Sequence, residues 1–168
     1  GSGKSSIGKR LSQKLNLNDL REAASIGAKA STGSKGALGI SFPWNLFDLE
    51  SAALITIEAI RLTLYKDLRF RSNPENRQVP DRIELLDFPK ANNQINKKVT
   101  SICEGVELAR ELVGAPPNSL TPNELAETAL LIAKGNGLEA KILEKKDCEE
   151  LGMGAYLAVA QGSDLKAK

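Results

Sequence analysis

An amphipathic helix pattern runs into Val113-Gly114-Ala115-Pro116-Pro117-Asn118, and a fresh helix start follows at Thr121. Consecutive prolines remove two backbone donors and fix φ, so a regular helix cannot pass through them. The residue before each proline is pushed toward extended backbone as well. The chain must therefore form a joint here, with one structural unit before it and another after it. Beyond the joint, Thr121 is placed as N-cap, Pro122 suits the first helical position and Glu124 can close a capping box. Leu125, Ala129, Leu130 and Ile132-Ala133 supply the side to be buried, and Gly135 and Gly137 end the helix.

Upstream, the pattern alternates helix and strand. Asn18 is placed to cap a helix through Asp19-Leu20-Arg21-Glu22-Ala23-Ala24 to about Ser31 or Thr32. Gly33 and Gly36 break it, and Ala37 to Phe42 reads as a short strand stopped by Pro43. Asp48 can cap the next helix. There Ala53, Ile57, Ile60 and Leu64 recur at helical spacing through about Tyr65, so apolar that burial over a wide arc is expected. Ser72 to Pro80 is a polar loop with two prolines. Arg82 to Phe88 reads as a second strand. A long helix then runs from about Asn92 to Val113, with Val99, Ile102, Val106, Ala109 and Val113 as its stripe and Glu107 placed to pair with Arg110. After the joint, Leu138 to Leu143 alternates as a strand does and Lys146 to Leu151 forms a short helix. The small apolar residues Ala155 to Ser163 suit a segment packed closely on a sheet.

This alternation predicts an α/β class with a largely parallel sheet. Two strands precede the joint and one follows it, too few for sheets buried on both faces. Either further strands escape the pattern, or the chain is cut inside one domain and again inside a second.

Composition excludes more than it selects. Lys and Arg number 23 against 21 Asp and Glu, a net charge of +2 that favours neither nucleic acid nor membrane. No apolar run reaches the length of a membrane span. His is absent, which removes Ser-His-Asp and Cys-His catalysis and every His-based zinc motif from this chain. Asp147, Glu149 and Glu150 are the densest carboxylates and read as a solvated face. Cys103 and Cys148 form no CxxC pair and read as reduced, cytosolic, structural thiols.

Gly1-Ser2-Gly3-Lys4-Ser5-Ser6 resembles the end of a phosphate-binding P-loop, with Gly3, Lys4 and Ser5 as candidate phosphate ligands. The motif's first Gly and its preceding strand would fall before residue 1, and Gly8 with Lys9-Arg10 opens a helix poorly. A surface turn is the competing reading. A P-loop nucleotide-binding protein or small-metabolite kinase is thus one alternative, and a non-catalytic interaction module is another.

The joint carries a more specific likeness. Ile102-Cys103-Glu104-Gly105-Val106-Glu107-Leu108-Ala109-Arg110-Glu111-Leu112-Val113, then Ala115-Pro116-Pro117-Asn118 and Leu120-Thr121-Pro122, resemble the leucyl aminopeptidase (cytosol aminopeptidase) family. Leu151-Gly152-Met153-Gly154-Ala155-Tyr156-Leu157-Ala158-Val159-Ala160-Gln161-Gly162-Ser163 is similar to a second motif of that family, in the right order. The likeness covers roughly residues 18 to 164 and is strong after residue 100. Ser5 to Leu15 and the ending Leu165-Lys166-Ala167-Lys168 depart from it.

The resemblance implies an incomplete macrodomain-like α/β/α N-terminal domain over residues 1–91, a linker helix and joint over 92–118, and the first α/β elements of a catalytic domain over 119–168. It implies a parent that is a cytoplasmic, homohexameric metalloaminopeptidase releasing N-terminal residues, preferentially Leu, from peptides. Two divalent ions, zinc, manganese or magnesium, would sit on Lys, Asp and Glu ligands, so the lack of His is compatible. Those ligands belong to segments such as Asn-Thr-Asp-Ala-Glu-Gly-Arg-Leu, which this sequence lacks. No catalytic, metal or cofactor residue carries over to any position here, and the chain alone is expected to be inactive.

Overall fold

A computed structural model describes residues 15–73, 78–89 and 93–168. The chain divides into two compact units between Arg110 and Glu111.

The first unit opens with α1, Leu17–Ala30. Its cap is Asn16, not Asn18: the Asn16 side chain accepts from the N–H groups of Asn18 (2.8 Å) and Asp19 (3.4 Å). The Asn16 N–H in turn donates to the Asp19 carboxylate at 2.7 Å. The acidic residue stands three positions after Asn16, so the reciprocal box closes there. Three positions after Asn18 is Arg21, which instead donates to the Asn18 side chain at 2.9 Å. Leu20, Ala24 and Ala28, four apart, form the buried side of α1.

β1 (Ala37–Ile40) and β2 (Arg82–Leu85) pair in parallel, with Ala37 opposite Arg82 and Ile40 opposite Leu85. Between them in sequence lies α2, Leu49–Leu64, so the three elements make a β-α-β unit. Both strands are shorter than expected. Pro43 and a short 3₁₀ turn at Trp44–Leu46 divert the first. A turn at Asp87, in the left-handed region at φ 55°, diverts the second. Asp48 caps α2 as expected, accepting from the Ser51 N–H at 2.9 Å. Burial of Ala52, Ala53, Thr56, Ala59 and Ile60 gives α2 its wide apolar arc.

Alanines let α1 and α2 approach closely. Ala24, Ala28, Ile40, Ala59 and Ile60 form one core cluster, with Leu38 and Ile83 of the strands against it. A second cluster seats Trp44 beside Leu20 and Ala52. The Trp44 indole N–H donates to the Leu86 carbonyl at 2.8 Å. Its ring meets Phe42 and Phe88 edge-on, with centroids 5.3 and 5.2 Å away.

The long helix α3, Asn93–Gly114, closes a third cluster, but on a face rotated from the expected stripe. Ile95, Val99 and Cys103 pack against Ala53, whereas Ile102 and Val113 are exposed. The two readings share Val99 and part there: at 3.6 residues per turn Ile102 lies roughly 60° to one side of it and Cys103 roughly 40° to the other, and α2 covers the side of Cys103. Glu107 turns to the same side. It does not pair with Arg110: it accepts two bonds from the Arg61 guanidinium, at 2.7 and 2.6 Å. Arg110 instead donates to the Leu62 carbonyl at 2.8 Å and lies over the Tyr65 ring. Both arginines therefore serve the C-terminal end of α2.

In the second unit, Ser119 and Leu120 donate to the Pro116 carbonyl, closing the joint into a turn. α4, Pro122–Asn136, starts as expected: Thr121 Oγ1 accepts from the Glu124 N–H and the Glu124 carboxylate accepts from the Thr121 N–H. Gly135 stays helical. Gly137 ends the helix in the left-handed conformation, φ 67°, which Gly adopts without the Cβ clash. Two short helices follow, α5 (Lys145–Glu150) and α6 (Gly154–Ala160). The segment Leu138 to Leu143 runs between α4 and α5 without pairing, because no strand among the described residues of this unit is available to pair with it. Of the segment Ala155 to Ser163, expected against a sheet, the part through Ala160 lies in α6, which has no fully buried side chain.

Candidate functional site

The sequence offered few residues for chemistry, and those among the described residues do not gather into a catalytic cluster. Gly3, Lys4 and Ser5 lie outside the described residues. Asp147 caps its own helix, accepting from the Glu144 N–H at 2.8 Å. Glu149 and Glu150 face Lys145 and Lys146 at 3.7 and 3.8 Å, the spacing of exposed i,i+4 pairs. Cys103 and Cys148 are free thiols, both buried. Burial pushes the Cys103 thiol above its ordinary range, which suppresses the reactive thiolate. Among the described residues no three His, Cys, Asp or Glu side chains converge to hold a metal ion. These residues therefore do not fit the metal pair that the family resemblance implies.

What the second unit does build is a groove of about 620 Å³. Leu125 and Ala129 of α4 form one wall, and Ile142 and Leu143 form another. Met153 and Tyr156 bound it further along, and Lys141 and Lys168 bring charge to its edge. Sequence periodicity explains the first wall: Leu125, Ala129 and Ile132 lie along one helical face. The floor is pinned by its last residue. The Tyr156 hydroxyl donates to the Lys168 carbonyl, and the Lys168 ammonium pairs with Glu144 at 2.6 Å. Sequence reading missed this tie; the only trace it leaves is an aromatic and a lysine in the stretch where the family likeness ends.

The groove offers recognition by shape and apolar contact. It stands open because the unit buries little of its own surface. Ala133, Cys148 and Ala167 are its buried hydrophobic residues among those described. Leu125 is half exposed at 49%, Leu138 is 63% exposed and Val159 86%. Adjacent, only the Leu138 N–H finds a backbone partner, the Ala133 carbonyl at 2.9 Å. No backbone hydrogen bond among the described residues engages 139–143.

The sequence profile described as "Cytosol aminopeptidase family, catalytic domain" matches residues 107–168. A probable cytosol aminopeptidase of Prochlorococcus marinus (strain MIT 9313) is 54% identical over 156 residues, covering 93% of this chain and 32% of that protein. Another, from Synechococcus sp. (strain CC9605), is 52% identical over 157 residues, 94% of this chain and 32% of its own length. The chain thus spans about a third of the length of these curated relatives. Among solved structures, a mutant tomato leucine aminopeptidase superposes with a TM-score of 0.76 at 28% identity, covering 89% of this chain and 31% of that one. The bottromycin maturation enzyme BotP shares the fold, with a TM-score of 0.71 at 19% identity over 99% of this chain and 42% of its own. These findings give no support to a phosphate-loop protein or a free-standing interaction module. By sequence and by fold, the chain is a partial region of the cytosol aminopeptidase family.

Proposed function

We propose that this chain is the architectural third of a metal-dependent aminopeptidase. In the proposed plan, residues 1–91 form the N-terminal domain, 92–118 the linker helix and joint, and 119–168 the opening elements of the catalytic domain. The whole protein would release N-terminal residues from peptides, with Leu and similar apolar residues preferred. The reading extends to a cytoplasmic homohexamer using zinc, manganese or magnesium. The observation that carries it is 54% identity to a probable cytosol aminopeptidase across 93% of the chain. A related fold, BotP, is described in complex with Mn, which agrees with a metal-dependent chemistry. Among the described residues no side chains gather as a metal site, so in this reading the ligands lie in other segments of the whole protein. The chain's own share is to supply packed helices and the groove against which those segments are held.

A graft tests the reading. Residues 1–168 replace the matching region of the Prochlorococcus marinus (strain MIT 9313) relative, and hydrolysis of leucyl p-nitroanilide is measured with and without Mn²⁺ or Zn²⁺. The expected result is metal-dependent turnover by the chimera and none by the 168-residue chain. A chimera that folds but stays inactive, beside an active parent, overturns the proposal.

A further inference from the structure

We propose that Asn136-Gly137, at the end of α4, is a site of spontaneous modification, where the folded chain converts its asparagine to aspartate and isoaspartate through a cyclic imide. This chemistry goes beyond the aminopeptidase reading and does not depend on it.

The reaction needs an attacking backbone nitrogen, an open approach and a main chain free to turn. The Gly137 nitrogen attacks the Asn136 side-chain carbonyl carbon. A C–N bond forms, the imide ring closes, and the side-chain nitrogen leaves as ammonia with the proton that the Gly137 nitrogen gives up. Water then opens the ring at one of its two carbonyls. One opening gives aspartate; the other routes the main chain through the side-chain carbon and gives isoaspartate. This is the only Asn-Gly step in the sequence. Glycine has no side chain to shield the nitrogen, and nothing among the described residues lies within 4 Å of where a Cβ on Gly137 would stand. Residues 134–140 are all exposed, so water reaches the site.

The cap of α4 gates the step. The Gly137 and Leu138 N–H groups both donate to the Ala133 carbonyl, and the Asn136 side-chain amide donates to the Ile132 carbonyl at 2.8 Å. These bonds must let go before attack, and the helix is weak where it must open. Gly135 lowers the helix propensity of the last turn, and helix ends open at little free energy. Each product then keeps the end loose. A carboxylate at position 136 loses the donor to Ile132 and sets negative charge at the negative end of the helix dipole. Isoaspartate lengthens the main chain between Ala133 and the two N–H groups it receives. Asn118-Ser119 is the contrast: a serine side chain crowds that nitrogen, which donates to the Pro116 carbonyl at 2.8 Å inside the joint.

Peptide mapping with isoaspartate detection tests the proposal on the 168-residue chain, aged in native buffer and, in parallel, in concentrated urea. The expected result is isoaspartate at Asn136 in the native chain, forming within about 30-fold of its rate in urea, with none at Asn118 over the same time. Asn136→Gln should remove the signal. Gly135→Ala, whose Cβ meets open space, should slow the native reaction a few-fold and leave the rate in urea unchanged. Asn136→Asp should speed exchange of the Leu138 amide, as the product does. Isoaspartate that forms in urea but more than about 30-fold more slowly in the native chain overturns the proposal, because the cap is then a lock. Equal native rates for Gly135→Ala and the parent chain overturn it as well, because the last turn of α4 would not gate the step.

Discussion

The two units of this chain begin in the same way and finish differently. Each opens with a reciprocal capping box, Asn16 with Asp19 and Thr121 with Glu124. In the first unit the helices that follow find a β-α-β frame and three core clusters, and Trp44, Ile60 and Cys103 are at most 3% exposed. In the second the helices form, but Leu125, Leu131 and Leu138 stay in contact with water. Local signals specify a helix without specifying what covers it. Caps and turns are written within a few residues, whereas burial needs partners distant in sequence.

If that contrast is right, equivalent truncations should differ several-fold between the units. Ile60→Ala removes a side chain that is fully buried between α1, α2 and β1, and should destabilise the first unit by about 2–5 kcal/mol. Trp44, the only tryptophan, lies in that unit and reports its urea transition by fluorescence. Leu125→Ala in the 168-residue chain should cost under about 1 kcal/mol, because half of that side chain is already solvated. Comparable losses would break the comparison, since they would mean that the second unit is as closed as the first.

A smaller effect is expected where α3 is fastened to α2. Arg61 and Glu107 pair through two bonds, and the paired carboxylate raises the Arg61 pKa further above its already high value. Both side chains are partly screened by solvent, at 30% and 17% exposure, so Arg61→Ala should cost about 1–2 kcal/mol rather than the value of a buried pair. The reversed double variant Arg61→Glu with Glu107→Arg should recover part of that loss in the same urea titration. No recovery would mean that the packing of the arginine stem, not its charge, holds the helix. Thr121→Ala comes next, at about 1 kcal/mol, confined to the start of α4 and visible as faster amide exchange at Glu124.

These cases also mark what was legible in the sequence. The joint at Pro116-Pro117, the caps at Asp48 and Thr121, and the α/β class could all be read, because each depends on residues close together in the chain. The family likeness added the identity of the region. Asn16 was missed as a cap because Asn18 also fits the residue preference, and only the position of Asp19 separates them. The face of α3 was misjudged for a different reason. Val99 starts two plausible stripes, and α2, through Ala53 and Arg61, selects the one that carries Cys103 and Glu107. Nothing local to α3 encodes that selection. The groove was invisible for the same reason: it is defined by α4, residues 141–143 and Lys168 together, and no short window contains all three. Leu138 to Leu143 has the alternation of a strand, but a strand is a relation between two segments.

The smallest expected effect concerns acid, and it sharpens the contrast by acting on the first unit alone. Asp48 and Asp67 both titrate below the ordinary carboxylate range. Asp48 is held down by its hydrogen bonds from Ser51, and Asp67, chiefly by the Arg69 side chain, to about 2. A carboxylate with a lowered folded-state pKa binds protons less readily in the folded chain than in the unfolded one. Its contribution is therefore complete above the unfolded value of 3.8 and fades as pH falls toward the folded value. The Trp44-monitored transition should accordingly stay level from neutral pH to about 5 and weaken between about 4 and 2. Both groups are exposed and their bonds are screened, so the decline should be shallow. Asp48→Asn keeps an oxygen acceptor at the cap but cannot be protonated in this range, so it should remove the Asp48 share of the decline while leaving neutral-pH stability nearly intact. If Asp48→Asn leaves the acid limb unchanged, the cap of α2 is not charged in the way its bonds to Ser51 require, and the decline belongs to carboxylates elsewhere.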